Sequence, residues 1–240
     1  MIVMTIVYDN NPGPKHLTTA WGFACVIQGF DKTVLFDTGG SGEILLENMR
    51  RCNLDPGQID VVVISHIHGD HTGGLWSFLQ TRKGIPVYLP AGFPAAFKER
   101  VELLGARVQE APESEVICPG ARTTGTMGKG AIEEHGLCVK SARGWVLITG
   151  CAHPGVAEMA TRARQVTDAP LCLVVGGFHM ASQSARQIGA VINRFEELGI
   201  QQVAPCHCSG DTARQLFERH YGDRCTLAGV GSVLKFQRGQ

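Results

Sequence analysis

The chain is poor in charge, poor in aromatic residues and lacks any C-x-x-C pair. Charged residues make up 18% of its 240 positions, and Lys+Arg and Asp+Glu both number 22. A chain with no net charge exerts no bulk pull on nucleic acid or acidic membranes, and no dense Lys/Arg run supplies a local one. Nucleic acid and membrane are therefore not expected as partners; a small molecule is. No continuous apolar run reaches the roughly 20 residues that a membrane crossing needs. The opening segment, MIVMTIVYDNNPGP, has no basic start and no small-residue cleavage site, and meets Asp9 too soon for a signal peptide. The expected location is the cytoplasm.

The nine cysteines are odd in number and lack the zinc-ribbon and thioredoxin spacings. Several lie inside apolar runs, such as Cys25 in GFACVI and Cys172 in LCLVV, and are expected to be reduced, buried, small hydrophobes. No linker or low-complexity segment divides the chain, so one domain over residues 1–240 is expected. Apolar residues at 44% suffice for a sizeable core.

Strand signals are strong in the first half. Residues 2–8, 22–28 and 33–37 are rich in β-branched and aromatic residues and bounded by Gly, Asn, Asp or Lys. IDVVVIS (59–65) is too continuously apolar for a half-exposed strand and reads as buried on both faces. Further strands are expected at 86–90, 144–150, 171–177 and 201–207, with CTLAG and SVLKF closing the chain. Helical spacing marks 43–51, LWSFLQ, 91–105, 155–166 and 211–222, and most clearly 183–199. TTGTMGKGA (123–131) reads as a loop. Mixed strands and helices in this order suggest a sheet sandwich covered by helices.

The chemistry-bearing signal is Ser65-His66-Ile67-His68-Gly69-Asp70-His71, directly after the buried strand. Imidazole nitrogens and a carboxylate oxygen are donors that suit zinc and related divalent metals. Three imidazoles and a carboxylate at the end of a buried strand are costly unless paired or metallated. Gly69, Gly73 and Gly74 would let the backbone turn tightly enough for these side chains to converge. His16, His135 and His220 lie outside any motif and are expected at the surface or in loops.

The pattern H-x-H-x-D-H resembles the signature of the metallo-β-lactamase superfamily. The resemblance extends through LFDTGG (35–40), ITGCAHPG (148–155) and APCHCSG (204–210), each following an expected strand. It implies an α+β fold, an αββα sandwich. It implies a first metal site of His66, His68 and His153, a second of Asp70, His71 and His207, and Asp37 behind them orienting the metal loop. The implied cofactor is a divalent metal, two zinc ions, with manganese, iron or magnesium as alternatives. Cys206 and Cys208 flank His207 and, on an extended strand, point away from it. Packing is the expected role for them and for Cys151, with thiolate ligation the minor alternative.

One position departs from the family pattern. The Asp that usually bridges the two metals after the fourth-motif strand is replaced by Gly177, in VVGGFHM. His179, two residues further on, is expected to face substrate or leaving group. GCAHPG, GGFH, PCHCSG and YDNNPGP (8–14) together resemble the dihydropteroate-synthase-like branch. That branch includes the archaeal synthase joining a dihydropterin-methyl diphosphate to ribofuranosylaminobenzene phosphate. The implied activity is metal-dependent hydrolysis or transfer on a phosphorylated or diphosphate-bearing, pterin-like small molecule, with Asp70 and His179 as catalytic residues. The alternatives are a thioester or lactone hydrolase and a non-catalytic metal-binding or ligand-sensing module on the same fold.

Overall fold

The computed structural model describes residues 1–128 and 132–239. The chain runs β1 (Ile2–Tyr8), β2 (Ala24–Gln28), β3 (Val34–Phe36), α1 (Gly42–Arg51), β4 (Val61–Val63), α2 (Gly69–Thr72), α3 (Leu75–Thr81), β5 (Pro86–Leu89), α4 (Ala95–Leu103) and β6 (Arg107–Glu110). It continues through β7 (Val116–Cys118), β8 (Ala121–Thr123), β9 (Leu137–Ser141), β10 (Gly144–Thr149), α5 (Val156–Thr167), β11 (Leu171–Gly177), α6 (Ala185–Glu197), β12 (Gln202–Cys206), α7 (Asp211–Tyr221) and β13 (Val233–Phe236). Among the described residues the strands form two sheets, ordered β13-β1-β2-β3-β4-β5-β6 and β12-β11-β10-β9-β8-β7.

Strand β4 shows why the layers stack as they do. Successive side chains on a strand point to opposite faces. Val61 and Val63 enter the core between the sheets, where they meet Ile148 and Val175 of the other sheet. Val62 points the other way, into a cluster with Leu45 and Met49 of α1 and Phe78 of α3. The second sheet repeats the arrangement: Val174 and Val203 pack under Met159, Ile192, Phe195 and Phe217 of α5, α6 and α7. Each such fully buried aliphatic side chain contributes about 1.5–3 kcal/mol. The result is an αββα sandwich of the α+β class.

Two sets of parallel strands position the site. In the first sheet β3 and β4 run parallel; in the second, β10, β11 and β12 do. Each set therefore delivers its C-terminal ends to one rim, and the motif residues all follow those ends. Asn48 of α1 fixes the segment after β1 to the same rim. Its buried amide donates to the Val7 and Thr18 carbonyls and its oxygen accepts from Thr18 N.

Several local expectations are corrected. β4 stops at Val63 because Ser65 N turns away from the neighbouring strand and donates to Asp37 Oδ1 at 2.6 Å. CTLAG forms no strand; Cys225 makes a single bridge to Val203. β12 ends at Cys206, and His207–Ser209 is a 3-10 turn, so strand alternation does not decide where Cys208 points. Gly69 opens α2 with free space where a Cβ would stand, whereas a Cβ on Gly74 would lie 2.1 Å from the Thr38 carbonyl oxygen. Close approach of two backbones thus requires glycine at 74 and not at 69. Part of the loop expected at 123–131, residues 129–131, lies outside the described residues. No helix among the described residues is long and apolar enough to cross a membrane.

Candidate metal centre

The rim brings His66, His68, Asp70, His71, His153 and His207 into one cluster. Ring centroids of His66 lie 4.8 Å from His68, 4.2 Å from His71 and 4.6 Å from His153. His71 and His207 are 4.9 Å apart. Asp70 Oδ2 stands 3.6 Å from His71 Nε2 and 3.4 Å from His207 Nε2. Of the six non-glycine residues with positive φ among the described residues, four (Asp37, Ala152, His179 and His207) lie at this rim. Left-handed backbone costs such residues on the order of 1–3 kcal/mol and concentrates at functional sites.

The imidazoles are oriented from behind. Asp37, fully buried, accepts from Ser65 Oγ at 2.7 Å and from His71 Nδ1 at 2.7 Å through Oδ2. Ser65 Oγ, its proton committed to Asp37, accepts from His66 Nδ1 at 2.9 Å. His153 Nδ1 donates to Glu134 Oε2 at 2.9 Å, and His207 Nδ1 to Asn10 Oδ1 at 2.9 Å. His207 N also donates to Asp9 Oδ2 at 3.1 Å. In all four rings the outer partner is an oxygen that accepts, so the proton sits on Nδ1 and the bare Nε2 lone pair faces inward.

That arrangement fits a divalent metal. The Nε2 atoms of His71 and His207 face each other at 3.2 Å, and two lone pairs at that distance repel unless a cation lies beside them. His66 Nε2 and His68 Nδ1 are likewise 3.2 Å apart. Neutral imidazoles with their outer nitrogens held by protein oxygens are the donors a metal site requires. Burial, then the neighbouring imidazole His71, pushes His66 down to about 3; burial, then His207, does the same to His71. Burial would raise Asp70, but the adjoining imidazoles of His207 and His71 outweigh it and hold the carboxyl below its ordinary range. Asp37 is pushed up to about 7, chiefly by burial.

Three features were not read from the sequence. Glu134, fully buried, accepts from the backbone N of Cys151, Ala152 and His153 at 3.0, 2.8 and 2.9 Å as well as from the His153 ring. It thereby fixes the turn that presents His153. No distinctive sequence signal marks it, since Glu134 sits between Glu133 and His135 in a polar approach to β9. Asn10 and Asp9 hold His207 through contacts nearly 200 residues apart in sequence. His135, expected at the surface or in a loop, does lie in a loop but is fully buried, and neither ring nitrogen meets the geometry of a hydrogen bond. Burial pushes it down to about 4, which keeps it neutral near pH 7. His16 and His220 are exposed, as expected.

Two further groups border the cluster. His179 is exposed, with its ring centroid 4.5 Å from that of His153, and is raised from the ordinary imidazole value first by its hydrogen bond to Cys208. Trp21 is 59% exposed, its ring centroid 5.0 Å from that of His207. An open cavity of about 450 Å³ adjoins His153, lined by Met127, Ile132, Pro154 and Glu158. A cavity of about 480 Å³ between Ser141, Cys172, Gln202 and Phe236 contains none of the cluster residues.

Comparison with known proteins agrees with the fold. The 7,8-dihydropterin-6-methyl-4-(beta-D-ribofuranosyl)-aminobenzene-5'-phosphate synthase of Methanocaldococcus jannaschii is 27% identical over 252 residues, spanning 87% of this chain and 86% of its own length. A crystal structure of a metal-dependent hydrolase of the beta-lactamase superfamily superposes with a TM-score of 0.83 at 24% identity, covering 99% of this chain and 100% of that one. The metallo-beta-lactamase fold protein YhfI from Bacillus subtilis gives a TM-score of 0.71 at 14% identity, covering 98% and 100%. The family model of the metallo-beta-lactamase superfamily matches residues 22–163. A match over more than half the chain, on a sandwich whose motif residues gather at one rim, means that this chain belongs to the metallo-β-lactamase superfamily, whose members bind divalent metal.

Proposed function

We propose that this protein is a metal-dependent enzyme that transfers a pterin-like methylene group from a diphosphate leaving group to an arylamine-type acceptor. The observation that carries the metal centre is the set of four histidines whose Nδ1 atoms are engaged by protein oxygens while their Nε2 atoms converge. The substrate class rests on the synthase relative, which matches this chain over 87% of its length. In this reading His66, His68 and His153 form one site and Asp70, His71 and His207 the other. Two divalent ions, zinc first, would supply Lewis acidity toward the oxygens of the leaving group.

The remaining roles belong to side chains around the cluster. Asp37 and Glu134 keep the rings of His71 and His153 in the tautomer that presents Nε2. Asp70 adds a negative oxygen that balances charge at the second site. His179, exposed beside His153, is placed to donate a proton or hydrogen bond to the departing diphosphate. Histidine is suited to that near neutral pH. Trp21 offers an exposed aromatic face beside His207 for a planar ring.

The test is incubation of metal-loaded protein with a dihydropterin-methyl diphosphate, with and without an arylamine ribofuranosyl phosphate. Diphosphate release that depends on the arylamine and matches coupled product supports transfer. Release without coupling makes the protein a hydrolase. A metallated protein with no turnover on pterin, ester, thioester or phosphate substrates is a binding or sensing module.

A further inference from the structure

The cleft contains two buried thiols that the histidine–aspartate ligand set leaves unused. Cys151 Sγ lies 3.3 Å from His71 Nε2. The ligand atoms of His66, Cys151 and His153 all fall within 4.8 Å of one another, and so do those of His71, Cys151 and His207. The first group belongs to one proposed metal site and the second to the other. Among the described residues Cys151 is the side chain common to both. Its position does not depend on a metal, because Glu134 Oε1 accepts from Cys151 N at 3.0 Å and from Ala152 N at 2.8 Å. Cys208 is placed differently. It groups with Cys151 and His179, and its Sγ donates weakly to the Cys151 carbonyl at 3.7 Å. It therefore backs the turn and joins neither histidine group.

The end of β11 explains why a sulfur on β10's turn occupies this place. A Cβ on Gly177 would lie 2.3 Å from the Gly150 carbonyl oxygen, 2.7 Å from Cys208 Sγ and 3.2 Å from Cys151 Cα. The first of those contacts is with backbone and cannot be relieved by a side-chain rotation. No side chain from position 177 can reach the space between the two histidine groups without moving strand β10. The turn after β10 fills that space instead and aims a thiol into it.

We propose that Cys151 binds as a thiolate shared by the two metal ions, bridging the His66/His153 group and the His71/His207 group. The proposal rests on the two-site reading above and adds a ligand to it. The thiol proton leaves to solvent as the ions bind. A sulfur ligand favours zinc, cobalt or iron(II) over magnesium and manganese, which prefer oxygen donors. The site is therefore expected to discriminate against the latter two.

The test is titration of Co(II) into the metal-free full-length protein, followed by the sulfur-to-cobalt charge-transfer absorption in the near ultraviolet. The expected result is a band that grows through both equivalents, since a shared sulfur gains a bond with each ion. Cys151→Ser is expected to abolish the band, and Cys208→Ala to retain it, in variants whose far-ultraviolet circular dichroism matches wild type. If Cys151→Ser fails to fold, the wild-type titration together with Cys208→Ala still decides. A band that saturates after one equivalent overturns the bridge, and so does a band that survives in Cys151→Ser or is lost in Cys208→Ala. Two bound equivalents with no band refute the thiolate and leave the two-site reading standing. Failure of wild type to bind cobalt refutes both.

Discussion

Replacing Glu134 by glutamine probes the support of the centre without removing any proposed ligand. The carboxylate is fully buried and accepts through Oε1 from Cys151 N and Ala152 N, and through Oε2 from His153 N and His153 Nδ1. Glutamine offers one accepting oxygen and one donating nitrogen. Whichever way the amide turns, one pair of N–H donors faces another donor. Two unpaired buried donors cost about 1–3 kcal/mol each, or about 2–6 kcal/mol together. In the orientation that abandons His153, the ring also loses the partner that fixes its tautomer, which weakens metal binding by about 10–100-fold.

Urea unfolding of metal-free protein at pH 7 measures the first effect, and competition with a chelator the second. The acid limb supplies a sign. Burial opposes the Glu134 charge, but the hydrogen bonds and nearby imidazoles, His153 foremost, outweigh it and hold the carboxyl well below its ordinary value of 4.5. A depressed carboxyl contributes stability that is fully present above its unfolded value and lost as pH falls toward the folded one. The gap between wild type and Glu134→Gln should therefore narrow below about pH 4.5. An unchanged urea midpoint together with unchanged metal affinity would refute this role. A stability loss with unchanged affinity would show that Glu134 supports the turn alone.

Three further outcomes are expected. His179→Ala should lower turnover by about 100-fold or more, within the range for a lost general acid, while metal content by elemental analysis stays at wild type; loss of a metal equivalent would make His179 a ligand. Trp21→Ala should raise KM for a planar substrate roughly 2–12-fold, from about 0.5–1.5 kcal/mol of ring contact, with kcat little changed. His135 is pushed down from 6.5 to about 4 by burial. A neutral-in-the-fold histidine contributes stability that is present above 6.5 and lost as pH falls through that window. Metal-free His135→Leu should accordingly lose less stability than wild type between pH 6.5 and 4, by up to about 1.4 kcal/mol per pH unit. Parallel pH profiles would contradict the buried neutral assignment.

Features carried by local pattern were legible in the sequence. The valine run of β4 announces burial on both faces, and the apolar spacing of 183–199 gives α6. Four potential ligands in six residues announce the cluster before any fold is known. What escaped was set by long-range geometry or by a local turn. Glu134 meets its partners 17–19 residues later, and no spacing rule ties one glutamate of the Glu133-Glu134 pair to a distant turn. The expectation for Cys208 assumed a strand continuing through His207, but left-handed backbone at His207 (φ 47) ends the alternation and swings Cys208 toward Cys151. His135 lies outside any motif, and nothing in the sequence marks it as buried; its backbone N donates to Ser65 O at 3.0 Å and draws the ring inward. CTLAG has strand-like composition but finds only the single bridge to Val203 along the outer edge of β12.

The most direct test of the central claim is metal content by elemental analysis of purified protein, wild type against the double variant His66→Ala with His68→Ala. Wild type should carry about two equivalents of divalent metal, the number expected when two ions act as a pair. The double variant should lose at least one, because it deletes two of the three histidines in the first proposed site while leaving Asp70, His71 and His207 in place. A double variant with the wild-type metal content would show that the centre lies elsewhere. A wild-type protein that binds no metal would show that the convergent histidines serve another purpose.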